Sequence, residues 1–435
     1  MPYLSSLLLM TALTHAVIEP REPRTLAREI DPVVITGDCF GDFLGVDKKN
    51  VRVYALRGGV FGPIPYQVDE RLPDGEYAYD SGEKAAEDTD KGRIDANDEL
   101  VFLASDLGGR VTRSVWPEGH GGGLEIAIRD PRDGARGWAY LLAFRDPPAP
   151  SPLDYVESWT GANGVSYVRT NGYLASNERY PENASRLTNL QITHSANEAG
   201  AINVMDSSKL RVAVEYKFIR IQKDVTQFAT RQIGLIDGPV RVLTRNEVKM
   251  YLFLGLWLPS PESVGVSYPW GYEVPNKVNV PVSPNEGSGS SVRITFDFNP
   301  GDHGRFFYSD QNPNPVIADG IMSDAESKLN LTLPRWTVSS SSNGTMITHL
   351  ALDPALQARA RLYYKDDASL DDAPEYHKGA FGEVGYWIGI GGQKPGDYLV
   401  KFVAILLREF SAGDEARYLP MIEAPLEYEL RPPLS

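Results

Sequence analysis

Cysteine is nearly absent from this chain. Cys39 is the only one, so no intrachain disulfide can form. With no activating pattern around it, it is expected to be a small buried hydrophobe and not a nucleophile. Histidine is scarce as well, six in 435 residues. No H-E-x-x-H and no closely spaced His/Cys set occurs, so the familiar zinc patterns are missing. There is no G-x-S-x-G elbow, no P-loop and no G-x-G-x-x-G after a strand. Positive charge is in deficit: 43 Lys and Arg stand against 58 Asp and Glu, a net charge of −15. That balance disfavours nucleic acid or an anionic membrane as the main partner, because both attract basic surfaces. The run from Met250 to Leu258 stops at Pro259, short of the ~18 apolar residues that cross a bilayer. No internal repeat suggests a propeller or solenoid.

What remains is a chain of short strands. Gly (40) and Pro (32) punctuate it throughout, and β-branched and aromatic residues fill the runs between turns. Strands are expected at 32–36, 51–56, 64–68, 100–104, 123–128 and 138–144, at a turn-rich spacing without the long amphipathic helices of βαβ units. Further strands are expected at 166–169, 210–216, 238–243, 249–258, 292–298, 346–350, 360–364, 385–390 and 397–407. Short helices fit 353–359, where Asp353 precedes Pro354, and 324–329. The apolar stretch ending at Ala16 has the form of a signal peptide, though it carries no basic residue in front. The expected organisation is a leader at 1–16, an N-terminal sandwich unit at 29–144, a Pro-rich connector at 145–152 and a C-terminal sandwich unit at 153–432. The fold class is therefore all-β: a large β-sandwich or supersandwich of two packed units with few short helices.

Between Asp69 and Asp106 stand thirteen acidic residues and four basic ones, an excess of nine in a chain of net charge −15. The centre runs from Glu87 to Glu99, where Asp88, Asp90 and Gly92 lie one residue tighter than in an EF-hand loop, and Asp95, Asp98 and Glu99 follow. Ca²⁺ takes 6–8 hard oxygens, and a glycine lets the chain wrap so that alternate carboxylates converge. Asp88, Asp90, Asp95, Asp98 and Glu99 are the candidate calcium ligands. The competing reading is a solvated acidic loop in which Asp and Asn form turns.

The stretch from Phe61 to Arg71, with Ile64-Pro-Tyr-Gln-Val-Asp-Glu70, and the stretch from Asp95 to Gly108, with Asp98-Glu-Leu-Val-Phe102, resemble a group of uncharacterised exported bacterial proteins. In those, an IPxQVDE strand precedes an acidic loop and a DELVF strand. The resemblance covers the first third of the chain and implies no activity. In strand count and length the chain is also similar to mutarotase-like β-supersandwich proteins, which implies an aromatic groove between sheets and a sugar ligand.

Sugar sites pair aromatic faces with carboxylates and amides, because one face of a pyranose is apolar while its hydroxyls need directed partners. Tyr268, Trp270 and Tyr272 have that content, as does Trp387 at the end of a stretch that opens with Glu375 and His377. For catalysis a lyase wants a His, Tyr or Lys base beside a cation; His303, Arg305, Tyr308 and His377 are the candidates. The function expected is an exported, calcium-stabilised protein that binds a polysaccharide or oligosaccharide. The alternatives are a polysaccharide lyase or glycosidase, and a structural cell-envelope component without ligand.

Overall fold

The computed structural model describes residues 17–83, 85, 88–178, 186–193, 200–253, 256–373 and 375–432. The expected leader and Glu87 lie outside them. Among the described residues twenty-six strands follow one another. The first seven are β1 (Pro32–Thr36), β2 (Val51–Arg57), β3 (Val60–Pro63), β4 (Gln67–Asp69), β5 (Glu99–Leu103), β6 (His120–Arg129) and β7 (Arg136–Phe144). Next come β8 (Val156–Thr160), β9 (Ser166–Thr170), β10 (Tyr173–Glu178), β11 (Arg186–Ile192), β12 (Met205–Tyr216), β13 (Ile219–Asp224), β14 (Phe228–Asp237), β15 (Val242–Phe253), β16 (Leu256–Tyr268), β17 (Gly271–Val280) and β18 (Ser291–Phe298). The chain finishes with β19 (Phe306–Ser309), β20 (Asn312–Ile317), β21 (Thr337–Ser341), β22 (Gly344–Leu352), β23 (Ala360–Asp367), β24 (Ala380–Gly389), β25 (Gly396–Leu407) and β26 (Glu427–Arg431).

Among the described residues these strands form an all-β architecture of five antiparallel sheets, with a few short helices. At the N-terminal end the three-stranded sheet β1-β5-β4 packs on the five-stranded sheet β26-β6-β7-β2-β3. Alternation along each strand sends Val33, Ile35, Leu100 and Phe102 from one side to meet Val51, Val53, Ile126, Ile128 and Leu141 from the other. Strand β26, which the sequence places with the 153–432 unit, pairs with β6 of this N-terminal sheet.

In the larger part, the sheet β13-β12-β18-β24-β23 faces the nine-stranded sheet β14-β15-β16-β17-β25-β22-β21-β19-β20. Phe296, Phe298, Leu362, Tyr364, Val384, Tyr386 and Ile388 pack there against Met346, Leu350, Phe402, Ala404 and Leu406. Burying each such apolar side chain contributes about 1.5–3 kcal/mol. The opposite side of the nine-stranded sheet is also covered: Val338, Ile347, Val403, Ile405 and Leu407 cluster with Tyr79 and Leu419.

Three local expectations are corrected. Of the strand expected at 238–243, residues 238–241 are instead the turn between β14, which ends at Asp237, and β15, which begins at Val242. Residues 64–66 fall between strands β3 and β4, because Pro65 cannot donate to a ladder. Cys39 is exposed, not buried; it ends a 3-10 turn, Gly37–Cys39, and its Sγ is 3.8 Å from the Tyr428 hydroxyl. The short helix Pro354–Gln357 forms where Asp353 accepts from Ala355 N, and the 324–329 stretch shortens to one 3-10 turn, Glu326–Lys328.

Candidate binding groove and metal centre

The outer face of the sheet containing β12, β18, β24 and β23 is built by strict alternation. The even-numbered residues Phe296, Leu362, Tyr386 and Ile388 point to the core, so the odd-numbered ones share the other side. Register places Arg211 opposite Arg293, Arg293 opposite Trp387 and Trp387 opposite Arg361. One row further on, Lys209 lies opposite Thr295. An open groove of about 530 Å³ lies here, lined by Arg211, Lys223, Asp224, Arg293, Asp372 and Trp387 among others. The Arg361 guanidinium stacks 4.1 Å above the Trp387 ring, and that of Arg293 sits 4.4 Å above Tyr363.

Residues 371–373 and 375–378 strap the side of this face. Arg211 Nη2 donates to the backbone carbonyls of Asp372 and Ala373 (2.6 and 3.1 Å) and pairs with the Asp372 carboxylate at 2.5 Å. Arg293 Nη2 reaches the same carboxylate oxygen at 3.5 Å. Beneath them lies Lys209, whose side chain is 0% exposed and whose Nζ is 2.8 Å from Asp297, 3.2 Å from Glu375, 3.6 Å from Asp372 and 3.8 Å from Glu383. Burial, opposed by Lys209 and reinforced by Glu383, pushes the Asp297 carboxyl up to about 7. Burial also raises Glu383, which accepts from Thr295 Oγ1. At the strap's end, buried Asp206 accepts from the backbone N–H groups of Tyr376 and His377 (3.0 Å each) and lies 2.6 Å from His377 Nδ1.

The acidic segment divides into three. Asp88, Asp90 and Asp95 each offer a carboxylate oxygen, and these lie within 4.8 Å of one another. The loop is pinned by backbone bonds from Lys48 N to Gly92 O (2.8 Å) and from Ile94 N to Val46 O (2.9 Å), and Ile94 is buried in the N-terminal core. Gly92 at φ +82° supplies the turn, and its N–H donates to Glu70. Asp90 is raised by partial burial, then by Asp95 and Asp88. A divalent ion would relieve that repulsion, with carbonyls and water completing the shell.

Asp98 and Glu99 are not part of this focus. Asp98 accepts from Arg71 N (3.1 Å) and Asp95 N (3.0 Å), and burial pushes it up to about 6. Glu99 turns the other way. With Asp69 it holds Arg241: Nη2 is 2.7 Å from Asp69 Oδ2 and 2.5 Å from Glu99 Oε2, and Nη1 donates to the Tyr268 hydroxyl at 3.3 Å. Gln67 Oε1 accepts from Val240 N and Arg241 N (3.0 and 2.9 Å). A Cβ on Gly238 would fall within 2.6 Å of the Gln67 amide, so a larger residue there would have to displace the amide from these bonds. The IPxQVDE and DELVF stretches are thus a joint between the N-terminal sheets and the nine-stranded sheet. Glu83 and Glu76 add ion pairs to Arg231 and Arg245 of that sheet, so part of the acidic excess serves docking.

The other candidates separate. Tyr268 and Trp270 are 2% and 5% exposed and stack on each other at 5.0 Å, and Tyr272 packs against the main core. Only Trp387 of that set lines the groove. His303 is exposed, whereas Arg305 is buried against Asp302 and Tyr308 is buried with its hydroxyl donating to Glu415 at 2.6 Å. His377 is the one candidate beside the charged face. Lys209, Arg211, Arg293, Asp297 and Asp372 were missed. The available signal was Lys-x-Arg and Arg-x-Thr-x-Asp at period two inside strands whose alternate residues are apolar.

Among the described residues no helix is long and apolar enough to cross a membrane. No protein-family model and no curated protein matches the chain. Among solved structures it is similar to an alpha-mannosidase from Enterococcus faecalis V583, at 8% identity and a TM-score of 0.44, over 94% of this chain and 45% of that one. It is also similar to a protein in the glycosyl hydrolase family 38 from Enterococcus faecalis, at 7% identity and a TM-score of 0.43, over 95% of this chain and 46% of that one. The chain spans less than half the length of either. Likenesses this distant leave function to the chain's own geometry.

Proposed function

We propose that this is an exported, calcium-stabilised protein that binds carbohydrate in the groove over Arg211, Arg293 and Trp387. The observation that carries the proposal is the groove itself: about 530 Å³ of open volume in which one tryptophan stands among guanidinium, ammonium, amide and carboxylate groups. That size falls within the ~300–1,000 Å³ of ordinary ligand pockets. An aromatic edge beside directed polar groups matches a sugar's apolar face and hydroxyl rim. Trp387→Ala is expected to weaken glycan binding about tenfold, as for loss of one aromatic anchor, while the melting temperature stays close to wild type. Glycan-array screening followed by calorimetry on the hits measures this; unchanged affinity in the variant would place the site elsewhere.

A lyase or glycosidase is the second reading, supported by the His377–Asp206 pair. A buried carboxylate 2.6 Å from Nδ1 orients an imidazole as a base requires. Incubation with bound glycans separates the two: new unsaturated ends absorbing in the ultraviolet, or new reducing ends, indicate an enzyme.

For the metal, saturating Ca²⁺ is expected to stabilise the fold by about 3 kcal/mol at a hundredfold excess over Kd. Asp90→Asn and Asp95→Asn should remove the increment. A melting temperature identical with Ca²⁺ and with chelator would mean that Asp88, Asp90 and Asp95 form only a solvated turn.

A further inference from the structure

The carbohydrate reading leaves open what kind of sugar the groove takes, and this inference rests on that reading. Arg211 and Arg293 are direct cross-strand neighbours. Two like charges placed opposite each other destabilise a sheet unless an anion lies between them. Here that anion is the chain's own Asp372 carboxylate, held by both guanidiniums and approached by Lys209. The arrangement is unsaturated: Arg211 Nη1 and Arg293 Nε are buried and have no hydrogen-bond partner. Buried donors without partners cost about 1–3 kcal/mol each. Asp372 comes from the strap and not from the sheet, and both Arg211 and Arg293 line the groove with it. The remaining acids on the wall do not compete for this pair: Asp224 accepts from Thr226 N (2.8 Å), and Asp371 is exposed.

We infer that the groove binds a glycan carrying carboxylates, a uronate chain, and that Arg211 and Arg293 receive the uronate carboxylate in exchange for that of Asp372. The exchange keeps the local charge balance, since one carboxylate replaces another above Lys209. It also uses planar guanidinium forks, which suit a carboxylate better than a hydroxyl. Trp387 then supplies the aromatic wall along the chain. Asp372 acts as a resident competitor, so removing its charge raises affinity for the ligand, whereas a residue that merely lined the site would lower it.

The test uses the full chain with oligogalacturonate and oligomannuronate, each beside its carboxyl-reduced, neutral counterpart. Calorimetry is expected to show the uronate bound at least about tenfold more tightly than the neutral chain, with affinity falling as salt rises. Asp372→Asn should bind uronate several-fold more tightly. Arg293→Gln should lose at least about tenfold for uronate and little for the neutral chain. Equal binding of both chains overturns the uronate assignment and leaves the carbohydrate reading standing. Weaker binding by Asp372→Asn overturns the exchange. Binding of neither chain, with wild-type folding intact, overturns the carbohydrate reading and this inference with it. The wild-type comparison needs no variant, so a misfolded Arg293→Gln protein would not rescue the assignment.

Discussion

Replacing Arg241 by Met should destabilise the protein by about 3–5 kcal/mol, the cost of stranding buried charge. The Arg241 side chain is 4% exposed, and its partners Asp69 and Glu99 are 1% and 10% exposed. Without it, Asp69 and Glu99 face each other in a site closed to water. Burial already raises the Asp69 carboxyl against the pull of Arg241. Burial pushes Glu99 up as well, but Arg241 and Arg71 together hold it below the usual carboxylate range. Denaturant unfolding of the full chain measures the loss. Adding Asp69→Asn to the Arg241→Met protein should restore a large part of it, because Asp69 is the carboxylate left without a cation while Glu99 keeps Arg71. If the double variant is as unstable as the single one, lost packing and not stranded charge is the cause.

Lys209→Met should cost a similar amount, about 3–5 kcal/mol. Asp297, Asp372, Glu375 and Glu383 all lie within 4 Å of its ammonium. The three cations Lys209, Arg211 and Arg293 do not neutralise four carboxylates, so the cluster is relieved if one of them keeps a proton. Asp297, with its carboxyl pushed up to about 7 by burial, is the carboxyl that keeps it. Its folded value lies above the unfolded value of ~3.9. The native state therefore binds a proton that the unfolded chain has released, and the contribution declines as pH rises through roughly 4 to 7. The full span is on the order of 4 kcal/mol at about 1.4 kcal/mol per unit. Asp297→Asn fixes the neutral form and should flatten that slope. The difference between the wild-type and Asp297→Asn stability curves from pH 5 to 8 isolates this carboxyl; parallel curves would mean that Asp297 is ionised throughout.

Much of the fold was legible because strand chemistry is local. Val51 to Leu56 and Val292 to Phe298 alternate, and Asp397 to Leu407 runs apolar and β-branched, as pleated strands do, and Asp353 before Pro354 marked a helix start. Strands such as β13, β14 and β17 were not expected, because charged and polar residues break their pattern while neighbouring strands hold them in place. In the acidic loop the sequence brought out Asp88, Asp90 and Asp95, whose spacing around Gly92 makes them converge. The sequence grouped Asp98 and Glu99 with them because adjacency carries no information about direction. In a strand Glu99 must face away from its neighbour, and its partner Arg241 lies 142 residues along the chain.

The amino-acid order alone determined an all-β chain, an acidic turn built for convergence and the absence of the common catalytic motifs, since each follows from short-range sterics and spacing. The tertiary structure decided which aromatics are core and which line a groove. It buried Tyr268 and Trp270 and left Trp387 at the groove wall. It also assembled the arginine pair from β12 and β18 and seated a distant carboxylate on it. Those outcomes depend on cross-strand register and on which face each sheet covers, and both are set by contacts between segments far apart in sequence.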